Sequence, residues 1–130
     1  MDVVVKLKHK GLGGTNLYLR TPNGLKYVEV TINNNNFRAG VHFSSSYSHT
    51  GAIEPGYEAD LSPYLNKWIT IRFLVVGEQA KVFIDGRLKR SLAILPDDYY
   101  VGIDSINFGT KSDHETDIRS VELTGTTTSQ

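Results

Sequence analysis

The sequence predicts an all-β single domain, a two-sheet antiparallel β-sandwich, on three observations. Apolar and polar residues alternate along most of the chain, whereas helical periodicity is almost absent. About ten short segments of this kind are separated by turns rich in Gly, Pro and Asn. The clearest is the hairpin that runs from Trp68 to Asp85-Gly86. We therefore expect the sandwich to cover residues 1–124 and a flexible tail to cover residues 125–130.

The individual strands follow from the alternation, taken in chain order. The predicted strands cover residues 3–8, 16–20, 27–32, 37–43, 57–61, 69–75, 82–84, 88–95, 99–109 and 117–123. The turns between them contain the residues that turns favour, as in Thr21-Pro22-Asn23-Gly24 and Asp85-Gly86. A glycine cluster, Gly11 to Gly14, predicts the first turn because glycine reaches positive φ without steric cost.

The composition excludes several classes of function. The chain has 14 basic and 14 acidic residues, so no basic surplus exists to neutralise phosphates or anionic membranes. We therefore expect no nucleic-acid binding. We also expect no membrane insertion, because no long apolar segment is present. The absence of cysteine removes disulfides, thiol nucleophiles and cysteine-based zinc sites together.

Two stretches in the second half carry a resemblance to a known superfamily. They are the hairpin, NKWITIRF followed by KVFIDGRL, and the closing segments INFG and DIRSVEL. Together they resemble the concanavalin A-like (laminin-G-like jelly-roll) superfamily, in which a Trp opens a strand and the next strand ends in Asp-Gly. The resemblance implies a jelly-roll sandwich. It leaves function open, because that superfamily includes lectins, carbohydrate-binding modules, glucanases and protein-binding domains. We expect Trp68 to be a core residue.

Catalysis is not expected, because the necessary groups are incomplete. Jelly-roll glucanases cut glycosidic bonds with two carboxylates, and the resembling enzymes carry Glu-x-Asp followed by a second Glu. Glu58-Ala59-Asp60 and Glu115-Thr116-Asp117 lack that second Glu, so we interpret them as solvated edge or loop carboxylates. The four histidines are scattered. No cofactor is predicted.

Calcium binding is an open alternative. Asp113, Glu115 and Asp117 supply oxygen ligands at alternate positions, and Asp97-Asp98 or Asp104 would add more.

Two surfaces are candidates for binding a sugar, which is recognised by aromatic rings and planar polar side chains. The first is the non-core face of the central strands, assigned by parity to Tyr27, Glu29, Arg38, His42, Arg72 and Lys81. The second is the long loop 44–57 with Tyr47, His49 and Tyr57, in which Tyr supplies contact area and small residues supply fit.

The sequence therefore predicts a non-catalytic carbohydrate-binding module whose partner is an oligo- or polysaccharide. We expect it to be part of a larger extracellular enzyme or adhesin, located outside the cell or on a cell or virion surface. The first alternative is a laminin-G-like domain that binds a protein partner. The second is a glycoside hydrolase, which would need a carboxylate pair assembled from different strands.

Overall fold

The computed structural model describes residues 1–34, 39–46, 57–106 and 115–124, with the backbone alone at residues 57, 105, 106 and 115–124. The described chain forms ten strands and one 3₁₀ turn, Ser62–Tyr64. The strands are β1 (Asp2–Lys10), β2 (Gly13–Arg20), β3 (Tyr27–Asn34), β4 (Gly40–Ser45), β5 (Tyr57–Glu58), β6 (Trp68–Val76), β7 (Gln79–Ile84), β8 (Arg87–Ala93), β9 (Tyr100–Ile106) and β10 (Glu115–Thr124). The predicted all-β class is confirmed. No helix in the described part of the chain could cross a membrane.

Two five-stranded antiparallel sheets make up the fold. Sheet I has the strand order β10-β1-β6-β7-β8, and sheet II has the order β5-β4-β3-β2-β9. Neighbours such as β10 and β1, or β9 and β2, are distant in the sequence. Sheet I takes β1, β6–β8 and β10, and sheet II takes β2–β5 and β9, so the chain crosses between the sheets several times, as a jelly roll requires.

The core lies between the two sheets because every second residue of each central strand is apolar. The buried apolar residues of sheet I are Val3, Val5, Leu7, Ile69, Ile71, Phe73, Ala80, Val82, Ile84 and Leu92. Those of sheet II are Leu17, Leu19, Val28, Val30, Ile32, Val41 and Phe43. The alternation that predicted the strands therefore also identifies the inner face of each sheet.

The hairpin on which the fold prediction depended is present as expected. Asp85 and Gly86 both have positive φ, 50° and 84°, and they join β7 to β8 as a two-residue turn. The turn is also tied to β6. Asp85 donates its backbone N–H to the carbonyl of Thr70 at 2.8 Å, and its carboxylate accepts the N–H of Thr70 at 2.9 Å. These two hydrogen bonds tie the β7–β8 turn to β6, the central strand of sheet I.

Trp68 was expected in the core, and the structure shows that this is wrong. Ile69 and Ile71 point inward, so the pleat of β6 directs Trp68 to the outer face of sheet I. The ring is half-buried there, with the ammonium group of Lys8 5.2 Å from its centroid.

Glu58 was interpreted as a solvated carboxylate, but it is part of a half-buried cluster. The hydroxyl of Tyr64 donates to it at 2.6 Å, and the ammonium group of Lys89 lies 3.5 Å from its other oxygen. Arg90 lies 3.9 Å from that same oxygen. Because Glu58 belongs to β5 and the two cations belong to β8, the cluster joins the sheets along one side. The hydroxyl of Ser45 adds a second link by donating to the carbonyl of Ala93.

Candidate functional site

The outward face of sheet II gathers polar and aromatic side chains from four neighbouring strands. Directly opposed residues of an antiparallel pair share a face. Arg20 opposes both Tyr27 and Tyr100, and Asn16 opposes both Thr31 and Asp104. The described outward side chains of the sheet are Asn16, Tyr18, Arg20, Tyr27, Glu29, Thr31, Asn33, His42, Ser44, Tyr100 and Asp104. They form an ordered array rather than a scatter of solvated groups.

Tyr18 forms the floor of this face. It lies opposite Gly102, and a Cβ added at Gly102 would overlap the tyrosine ring, coming within 2.6 Å of Cε1. The ring therefore lies across β9 in space that only glycine leaves open. Only 8% of Tyr18 is exposed, although it points away from the core. Burial, followed by the negative charge of Asp104, raises the pKa of its hydroxyl.

Arg20 covers this floor. Its guanidinium carbon lies 3.6 Å from the centroid of the Tyr18 ring, a stacking contact. Nη2 of Arg20 donates to Glu29 at 3.2 Å and lies 3.8 Å from a carboxylate oxygen of Asp104. The cation is thus held between acids from β3 and β9. We call these four residues, Tyr18, Arg20, Glu29 and Asp104, the Arg20 platform.

An exposed aromatic ring borders the platform at the edge of the sheet. The rings of Tyr100 and Tyr18 are 6.0 Å apart and nearly perpendicular, at 85°. Because the Tyr18 ring lies against the sheet and the two rings are nearly perpendicular, the Tyr100 ring projects outward from β9. Tyr100 is 46% exposed, which leaves much of its surface available to a ligand.

A row of hydrogen-bonding groups lies on the other side of the platform. The hydroxyl of Thr31 donates to the side-chain oxygen of Asn16 at 3.0 Å, and His42 lies opposite Thr31 on β4. Polar side chains therefore continue across the sheet from Asp104 on β9 to His42 on β4.

The structure brings together only some of the residues predicted from the sequence. Tyr27, Glu29 and His42 share the outward face of sheet II. Arg72 and Lys81 belong to β6 and β7 in sheet I, so their assignment to that same surface is corrected.

Arg72 has a different partner. Its guanidinium group makes two bonds to the carboxylate of Asp2, at 2.8 and 2.7 Å. Parity alone could not separate these residues, because both sheets have an outer face. Arg38, Tyr47 and His49 lie outside the described residues, and at Tyr57 only the backbone is described, paired with His42.

Sequence reasoning missed the centre of the site. Tyr18, Arg20 and Tyr100 were not singled out, and Asp104 was considered only as a calcium ligand, although the signals were present. Asn16, Tyr18 and Arg20 alternate with Leu17 and Leu19, which marks the polar residues as outward-facing. Gly102 interrupts an otherwise β-favouring run, which is typical of a place where another group approaches the backbone closely.

No group of metal ligands is assembled in the described part of the chain. Of the carboxylates considered for calcium, Asp97 forms an ion pair with Lys26 at 2.7 Å, and Asp104 belongs to the Arg20 platform. Asp113 lies outside the described residues, and the side chains of Glu115 and Asp117 are not described.

Comparison with known proteins gives structural relatives but no sequence relatives. No protein-family model matches the chain, and no curated protein matches it. A tetrameric galectin from the ball sponge Cinachyrella sp. superposes with a TM-score of 0.56 at 12% identity, over 93% of this chain and 89% of that one. The carbohydrate-binding module CBM66 from Bacillus subtilis gives 0.51 at 14% identity, over 92% and 71%.

A third neighbour is the mouse laminin α1 chain, domains LG4-5. It superposes with a TM-score of 0.51 at 15% identity, over 93% of this chain. This chain spans 34% of that structure. At these identities the likeness shows the fold alone, a two-sheet jelly roll, which is the fold that the resemblance in the hairpin implied.

Proposed function

We propose that this chain, a concanavalin A-like sandwich, is a non-catalytic carbohydrate-binding module that binds its ligand on the outward face of sheet II. One observation carries the proposal: the Arg20 platform and the exposed ring of Tyr100 stand side by side on this face. The galectin and CBM66 likenesses are consistent with it. A glycan partner also supports the location we propose, outside the cell or on a cell or virion surface, within a larger protein.

The chemistry of the face suits a polyhydroxylated ligand. A sugar ring presents C–H groups on its faces, which pack against aromatic rings such as Tyr100, and hydroxyls on its rim. Carboxylates accept hydrogen bonds from those hydroxyls, and a guanidinium group donates to their oxygens. In the described chain, Nη2 is the only nitrogen of Arg20 with a polar partner, so Nε and Nη1 remain to donate.

The same geometry favours binding over hydrolysis. Glu29 and Asp104 come from different strands and both lie within 4 Å of Nη2 of Arg20, so this face does bring two carboxylates together. A glycosidase needs one of its two carboxyl groups protonated, as the general acid. The two groups must also flank the glycosidic bond, and here Nη2 of Arg20 lies between them, within 4 Å of each. Incubation of the chain with the glycans that it binds should therefore release no reducing ends.

The proposal is tested by comparing aromatic substitutions on the two sheets. We expect Tyr100→Ala to weaken glycan binding about 5- to 30-fold, because one aromatic contact of about 1–2 kcal/mol is lost. Trp68→Ala is the matched control, since Trp68 is a half-buried aromatic on the opposite outer face. Binding would be measured by titration calorimetry with hits from a glycan array.

The results distinguish the surfaces. Weakening by Trp68→Ala alone, with both variants folded, would move the site to sheet I and refute the proposal. Loss through Tyr47→Ala and not through Tyr100→Ala would instead favour the loop 44–57.

A protein partner is the second candidate, and the structural likeness to the laminin α1 domains LG4-5 supports it. Leu25, 73% exposed on the turn before β3, would be one apolar residue of such an interface. A chain that binds no glycan on an array, with or without calcium, would support this candidate over the first.

A further inference from the structure

The charges around Arg20 bear on which class of glycan the site accepts, a question that rests on the proposed function. Arg20 has two carboxylates within 4 Å of one nitrogen, Glu29 at 3.2 Å and Asp104 at 3.8 Å. The side chain of Arg20 is 25% exposed, and that of Asp104 is 51% exposed. A ligand on the platform therefore meets one cation and two anions at the same time.

From this arrangement we infer that the site selects uncharged glycans and rejects sulfated or uronic-acid sugars. An anion at Nε or Nη1 would touch the guanidinium group and meet two carboxylates at longer range, because both of them lie at Nη2. Coulomb energy falls with the inverse of distance, so two repulsions at twice the distance cancel one attraction. The anion would still lose its hydration, with nothing to compensate for that loss.

The same charges favour the hydroxyl groups of an uncharged sugar. A hydroxyl can donate to Glu29 or Asp104 and accept from Nε or Nη1 of Arg20, so both charges become hydrogen-bonding partners. Hydrogen bonds to charged groups are the stronger ones, and their directions are set here by the stack on Tyr18. The Arg20 platform is thus an ordered array of donors and acceptors, with one more negative charge than positive.

Among the residues that the structure describes, the other charged groups near this face do not alter the balance. Lys26, at the Tyr27 end, is occupied by the carboxylate of Asp97 at 2.7 Å. The cluster of Glu58, Lys89 and Arg90 lies on the inward side of sheet II, because Glu58 opposes the buried Val41. Arg38 lies outside the described residues.

The test is to remove the two carboxylates while keeping their shape. Glu29→Gln and Asp104→Asn, singly and together, leave Arg20 stacked on Tyr18 but no longer neutralised. We expect the wild-type chain to bind one or more of mannan, galactan, xylan and dextran, and none of polygalacturonate, alginate and heparin. The double variant should bind an anionic polymer at least about tenfold more tightly than wild type.

The gained binding should weaken as salt is added, because it is electrostatic. The matched control is Asp97→Asn, which removes one carboxylate from an ion pair beside the platform. It should leave the preference for uncharged polymers unchanged. Melting temperatures would establish that each variant is folded before affinity electrophoresis on the seven polymers.

The outcomes separate the inference from the proposed function. Binding of wild type to an anionic polymer as tightly as to any neutral one overturns the inference and leaves carbohydrate binding in place. A double variant that binds neutral polymers but gains no anionic one also overturns it. A wild-type chain that binds no polymer of either class overturns the proposed function itself.

Discussion

Replacing Gly102 with alanine should destabilise the protein through a single steric contact. The added Cβ would overlap Oη and Cζ of Tyr18 and lie 2.6 Å from Cε1, closer than Cβ atoms are found in proteins. The ring must then leave β9 and give up its stacking contact with Arg20. Introducing a carbon into a packed position of this kind costs about 1–3 kcal/mol. For a chain of this length we expect the melting temperature to fall by about 4–10 °C.

The reasoning is checked by a double-mutant cycle, with urea unfolding as the assay. Gly102 does not have positive φ, so alanine introduces no backbone strain. In a Tyr18→Ala background the clash partner is absent, and Gly102→Ala should then be neutral or slightly stabilising, as Gly to Ala in a strand usually is. The coupling energy should therefore be about 1–3 kcal/mol. An equal cost of Gly102→Ala in both backgrounds would refute the proposed contact.

Two further substitutions test interactions away from the site. The hydrogen bond from Arg72, more than any other contact, lowers the pKa of Asp2. A carboxyl group with a lowered folded-state pKa adds stability above its unfolded pKa and loses it as pH falls through the folded value. In the Asp2→Asn variant the free energy of unfolding should therefore fall less steeply below about pH 4 than in the wild type, as followed by acid titration. An equally steep fall in both proteins would contradict this. Tyr64→Phe removes the hydroxyl that binds Glu58 and should cost about 1–2 kcal/mol in urea unfolding; a cost near zero would show that the Glu58 cluster does not stabilise the fold.

The sequence was sufficient for the fold because the information is local. Val3, Val5 and Leu7, or Ile69, Ile71 and Phe73, alternate strictly, so both the strands and their inner faces follow from period two. Element ends were less accurate. β2 begins at Gly13, inside the cluster assigned to a turn, because Gly13 pairs with Asn34 at a φ of 114°, which glycine adopts without steric cost.

The site could be predicted only in part, since it depends on pairings between distant segments. Nothing in the sequence indicates that β9 lies beside β2, and that pairing is what brings Tyr100 and Asp104 to Arg20. Likewise Arg72 and Tyr27 are equally outward-facing by parity, and only the strand order assigns them to different sheets.

Trp68 is an instructive error. The same alternation that predicts inward positions for Ile69 and Ile71 already directs Trp68 outward. A large apolar side chain favours the core, but the pleat of β6 decides which face Trp68 occupies.

The stacked floor of the site has a consequence for how such a surface can be altered. Tyr18 and Gly102 support the face, whereas Glu29, Tyr100 and Asp104 stand on it with solvent on one side. The core residues of these strands point the other way. A combinatorial library that randomises only Glu29, Tyr100 and Asp104 would therefore sample new ligand preferences at little cost in stability. The residues that support the fold and those that contact the ligand occupy separate positions along the same strands.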